Sequence, residues 1–424
     1  MKKALSLVLA VLMMMSLLSI SASADDKVVI EFWNTHGETF GGPAVTKVVE
    51  WFNENNDLGV EIRQVVYTGY DEIATNLQSA ILANTAPALS TCSYSNINYM
   101  AQNFPYVSPV DIIEKYFPED KDYLANKYDP AILNLGVSVD GKQFGLPYGL
   151  SVPLMYYNAD LLDAAGLDKE NLPKTWEEIG EWAKTIVTET GMQGLYIQLP
   201  TDTYSIIPMY LGAGLESMYK VNEDGSYTAD FVTDGTIYNW TKQQEWYKNG
   251  YAVYMTNTEG RAAMAAGLLG MYLTTSARIQ ELTDAEPNFV ASMHPYWDGH
   301  DRVVCLGGNV LTIWAQDEFT QKVAWTFIKC LLEAENVAAF DNGTGYVPPT
   351  KDVTEEMYTM LSNPLLGDNI NERADALPWT SWPGKNGVAI DRVLITTRDA
   401  IINDYVDVAT ALQNAQDEIN ELLK

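Results

Sequence analysis

Cysteine and histidine are scarce in this 424-residue chain, which has three of each. Cys92, Cys305 and Cys330 stand far apart among apolar or small residues, so no disulfide framework is expected and the thiols read as buried and free. His36, His294 and His300 form no His-x-x-x-His pair, no Cys-x-x-Cys occurs, and the acidic runs lack EF-hand spacing. Neither a metal site nor a cofactor is expected. Positive charge is also short: 26 Lys and Arg face 56 Asp and Glu, a formal net charge of −30. A chain so acidic repels nucleic acid and anionic membrane surfaces. A Gly-x-Ser-x-Gly elbow and a P-loop are both missing. So is any linker rich in Gly, Ser or Pro, any internal repeat and any low-complexity tract.

What is present begins with a processing signal. Lys2 and Lys3 precede an apolar run at 4–20, and Ala22-Ser23-Ala24 is a small-residue cleavage pattern. Residues 1–24 read as a signal peptide, and export to a periplasmic or extracellular location is expected. No cysteine lies in or just after the run, so no N-terminal lipid anchor is expected. The remaining chain is too long for one core and is consistent with two lobes.

After Asp25 the elements alternate. Residues 28–33 read as a strand and 44–52 as a helix with Val45, Val48, Val49 and Phe52 on one face. Residues 60–66 read as a second strand, 70–83 as a second helix with Ile73, Leu77, Ala80 and Ile81 as its stripe, and a third strand starts at 87–89. This βαβαβ opening implies an α/β fold with a parallel sheet. Thr175-Trp176-Glu177-Glu178 fits a capping box at the start of a helix. The tail at 391–424 repeats Ile395, Ile401, Ile402, Tyr405, Val408, Leu412, Ala415, Ile419 and Leu422 at helical spacing. Without a linker, a two-lobed chain must cross between lobes repeatedly, and 145–153, the Gly307-Gly308 pair and 343–349 are the candidate crossings.

The stretch 140–178 resembles the segment where extracellular solute-binding proteins of family 1 pass from one lobe to the other. Phe32-Trp33, Gly41-Gly42, Gly69-Tyr70, Pro295-Tyr296-Trp297, Gly307-Gly308-Asn309 and Thr344-Gly345-Tyr346-Val347-Pro348 follow in the family's order. The resemblance implies a two-lobed periplasmic-binding-protein fold of the Venus-flytrap type, with discontinuous lobes and a multi-stranded hinge. Residues 25–148 and 302–343 would form one lobe, and 149–301 and 344–424 the other. It also implies capture of a carbohydrate by hinge closure, delivery to a membrane ABC permease, and action as a monomer.

The resemblance to the family's glycerol-3-phosphate binders points to Tyr70, Ser151, Ser276, Gly308 and Tyr346 as ligand contacts, the two serines to within about one residue. Aromatics in loop-like settings add Tyr94, Trp297, Trp379 and Trp382, because sugars present apolar faces to rings. Trp176, Trp182, Trp240 and Trp325 sit in helical patterns and read as packing residues. A phosphate ester would need an arginine. The one expected near 387–389 is absent, and Arg392 is the nearest candidate. A neutral oligosaccharide or polyol is therefore expected over glycerol 3-phosphate or a glycerophosphodiester. A secreted hydrolase would need two convergent carboxylates. Glu38, Asp202 and Asp298 are candidates by position, yet their number in so acidic a chain carries no weight, and no catalytic residue is assigned.

Overall fold

The computed structural model describes residues 27–198, 203–370 and 376–424. The expected signal peptide at 1–24 and Asp202 lie outside the described residues. The strands are β1 (Val28–Asn34), β2 (Val60–Val66), β3 (Leu89–Ser93), β4 (Leu146–Ser151), β5 (Pro153–Asn158) and β6 (Gln193–Ile197). They continue with β7 (Tyr219–Val221), β8 (Tyr227–Ala229), β9 (Leu269–Thr275), β10 (Phe289–Met293), β11 (Val304–Ile313) and β12 (Ala376–Pro378). The first sheet runs β12-β11-β3-β1-β2, with β4 also on β11; the second runs β10-β5-β9-β6; β7 and β8 form a hairpin.

The opening βαβαβ unit forms as its pattern dictates. β1 pairs in parallel with both β2 and β3. Val45, Val48, Val49 and Phe52 of the Gly42–Asn55 helix are buried against this sheet. β2 alternates buried and exposed residues over Val60–Arg63 because it is the sheet edge, whereas β3, β4 and β5 are buried throughout.

Only Val152 separates β4 from β5, so the chain passes from one sheet to the other without a turn. Pro153 opens β5, a position where a strand tolerates a missing N–H. β11 is the second link. Its register on β4 shifts between Asn309 and Val310, while its Val304–Leu306 end carries β12. The third link is the segment after the Ala334–Asn342 helix, where Val347 N donates to Leu150 O at 2.7 Å. Leu150, Val152, Leu154, Tyr156, Val310 and Val347 share one apolar cluster that bridges both sheets. The first-sheet core centres on Phe32, Phe52, Leu311, Trp325 and Phe327, the second-sheet core on Trp176, Trp240, Leu394, Leu412 and Ile419.

The capping box forms. Glu178 N donates to Thr175 Oγ1 at 3.3 Å and Thr175 N to Glu178 Oε2 at 3.1 Å. The tail is not one continuous helix. Gly387–Ile402 and Val408–Leu422 are separate, with Tyr405 at φ 54 between them and Asp407 Oδ1 accepting from Thr410 N at 2.9 Å. An acidic N-cap overrides apolar spacing that would otherwise run on.

Candidate ligand-binding cleft

The first residue of the Tyr70–Leu82 helix brings the Tyr70 phenol to the hinge. Its hydroxyl accepts from Asn309 Nδ2 at 3.0 Å and lies 3.5 Å from the Tyr346 hydroxyl. Burial pushes both phenols up, so they remain neutral hydroxyls able to donate and accept.

Two glycines make this junction possible. A Cβ on Gly149 would lie 2.5 Å from Asn309 Nδ2 and 2.6 Å from the Tyr346 ring. Gly308 sits at φ +117, where a Cβ would meet Gly149 O at 2.1 Å. Backbone alone fits here, and the space a side chain would take is filled by Tyr346.

Around this junction is a cavity of about 450 Å³. Tyr70, Phe40, Ser95 and Asn96 line it on one side, Gln198, Tyr204, Thr275 and Arg278 on the other, and Ser151, Gly307, Gly308 and Tyr346 at the crossings. Tyr204 and Trp379 rings pack 5.2 Å apart, and Trp379 Nε1 donates to Thr203 Oγ1 at 2.9 Å. The Phe40 ring lies 5.5 Å from Tyr346. Arg278 is the one cation and Asp71 the one acid among the described lining residues. The Arg278 guanidinium is 5.7 Å from the Phe40 ring and 3.1 Å from Glu281, a carboxylate that Arg261 also approaches at 3.7 Å.

Of the ten residues expected from sequence, Tyr70, Ser151, Gly308, Tyr346 and Trp379 meet at this cavity. Ser276 is one residue out of register: it is buried, its N–H donates to Val152 O at 2.7 Å, and its neighbours Thr275 and Ala277 line the space. Tyr94 is buried at the turn after β3 and borders a second space beyond Trp379. Trp297 and Trp382 need correction. Trp297 stacks on Trp246 at 6.0 Å and Trp382 packs on Tyr219 at 5.6 Å, both inside the second-sheet core. Pro and Gly neighbours mark a loop but not the side on which its ring is buried. Arg392 is likewise corrected, to an exposed position on the Gly387–Ile402 helix. Glu38 and Asp298 are exposed and outside the cavity.

Arg278 was not anticipated, and Phe40, Asn96 and Gln198 were not named singly, although the loops 34–43 and 91–96 fall beyond the carboxyl ends of β1 and β3, where open parallel sheets bind ligands. Arg278 had a signal: it follows the flagged Ser276 by two residues on the turn leaving β9. Gln198 has no such mark, since only the approach of separate segments makes it a neighbour of the others.

The profile of the family described as bacterial extracellular solute-binding protein matches residues 47–365. An sn-glycerol-3-phosphate-binding periplasmic protein of Rhizobium meliloti is 28% identical over 271 residues, covering 61% of this chain and 60% of that protein. An arabinooligosaccharide-binding protein of Halalkalibacterium halodurans is 28% identical over 204 residues, covering 47% of this chain and 42% of that one. The chain thus spans less than two thirds of either relative's length. A Listeria monocytogenes ABC substrate-binding protein, solved with cycloalternan, shares the fold with a TM-score of 0.78 at 17% identity, over 94% of this chain and 99% of that one. With the profile spanning most of its length, the chain belongs to the bacterial extracellular solute-binding protein family.

Proposed function

We propose that this protein captures a saccharide or polyol in the cleft between its two lobes and delivers it, without turning it over, to an ABC importer. The observation that carries the reading is the lining of the cavity. Phe40, Tyr70, Tyr204, Tyr346 and Trp379 supply aromatic rings, while Ser95, Asn96, Ser151, Gln198 and Thr275 supply short hydroxyl and amide groups. Rings cover the apolar faces of a sugar, and the polar groups pair with its hydroxyls. Arg278 and Asp71 cancel in charge, which suits a neutral ligand. A ligand touching both lobes binds the closed arrangement better and shifts the population toward it. The protein would act outside the cytoplasm as a monomer; among the described residues no helix is long and apolar enough to cross a membrane.

One observation favours a second reading. Arg278 stands at the cavity wall and could grip the phosphate of a glycerol phosphate ester. A thermal-shift panel of oligosaccharides, polyols, glycerol 3-phosphate and glycerophosphodiesters separates the two. At about 100 times its dissociation constant a true ligand adds roughly 2.7 kcal/mol of stability. Neutral saccharides are expected to raise the midpoint, and Arg278→Ala to preserve that response. A response to phosphate esters alone, lost in Arg278→Ala, would move the assignment to the second reading.

A further inference from the structure

The cavity does not end the space between the lobes. Beyond Trp379 lies a second chamber of about 360 Å³, and Trp379 lines both. One wall comes from the first lobe, with Asn98, Asn134 and Val139; the facing wall comes from the second, with Glu216 and Tyr219. Between the chambers runs the strap that follows β12. It is tied to the first lobe by Asn98, whose N and Nδ2 donate to Ser381 Oγ at 3.0 Å and Ser381 O at 2.7 Å. Trp379 Nε1 ties it to Thr203 on the other side. The indole thus stands at the boundary of the two chambers and lines both.

We propose that the second chamber is a further subsite, which takes the distal sugar units of an elongated oligosaccharide running past Trp379. This inference rests on the saccharide reading above. Each chamber alone falls near the lower end of the volumes that hold a small ligand, and the two together reach well into that range. Asn134 and Glu216 present an exposed amide and an exposed carboxylate from opposite lobes. Together they match hydroxyls that both donate and accept. The Glu216 carboxylate repels an anion, so the unit in this chamber is neutral, and any acidic substituent lies at the Arg278 end. Because the walls belong to different lobes, contacts here exist only when the lobes are together, and a longer ligand stabilises closure further.

Isothermal titration of the chain from Asp25 onward with gluco- and arabino-oligosaccharides of two to six units tests this. Wild-type affinity should rise about tenfold or more between the dimer and the longest chain bound. Val139→Trp fills the chamber from an exposed position, and Glu216→Ala removes the carboxylate. Each variant should cut the ratio of long-chain to short-chain affinity about tenfold, with an unchanged melting temperature showing that the fold is intact. Equal affinity at every length, or variants that leave the ratio untouched, would overturn the second subsite while the saccharide reading stands. Failure to bind any saccharide of any length would overturn both.

Discussion

At Gly308 a single hydrogen atom decides whether the hinge can close on itself. The residue combines a positive φ with a backbone oxygen 2.1 Å from where a Cβ would stand. Gly225 has φ +82 and nothing within 4 Å, so it isolates the cost of conformation alone. Gly308→Ala is expected to destabilise the protein by on the order of 3 kcal/mol, Gly225→Ala by about 1 kcal/mol. Urea unfolding of the two variants side by side checks this, and equal losses would show that the contact with Gly149 does not matter. At this scale the sequence was informative where the family resemblance marks a residue. Gly69-Tyr70 opens a helix at the cleft, and the Gly-Tyr-Val-Pro run puts Tyr346 at a crossing. It misled at Trp297 and Trp382, because an indole buries as readily in a core as in a cleft.

Among the elements, the end of the Ala334–Asn342 helix holds an unusual group. Asp341 is fully buried, and neither of its carboxylate oxygens has a hydrogen-bond partner. Burial pushes its carboxyl well above the usual carboxylate range. A carboxyl raised in the folded state stays protonated while the unfolded chain ionises above about pH 4, so stability falls as pH rises through that window. Asp341→Asn removes the ionisable group. The variant should gain on the wild type by up to about 1.4 kcal/mol per pH unit between pH 5 and the folded-state value. Unfolding curves at pH 5, 6 and 7 would show the gap widening; a constant gap would mean that Asp341 is ionised in the fold. Element boundaries were readable where caps are local, as with Thr175 and Glu178. The break at Tyr405 was not, because apolar spacing continues across it.

For the whole molecule, three crossings and one apolar cluster shared by both sheets make the lobes a coupled pair. Ligand binding should therefore change shape as well as stability. Small-angle scattering on adding a saccharide that raises the melting temperature should show a smaller radius of gyration, and the Val139→Trp variant should compact less with long chains. No change in scattering at saturation would rule out closure as the mechanism.

By itself the sequence determined the α/β class, a length beyond one core, the absence of a disulfide framework, and about half of the cleft. The first three follow from composition and periodicity, which act over a few residues; among the cleft residues, Tyr70, Ser151, Gly308 and Tyr346 follow from the family resemblance and Trp379 from its loop setting. The tertiary structure alone decided that Arg278 and not Arg392 stands at the cavity, that Trp297 and Trp382 belong to a core, and that Trp379 lines two chambers. These depend on segments hundreds of residues apart being brought within a few ångströms by the hinge strands, and nothing local encodes that proximity.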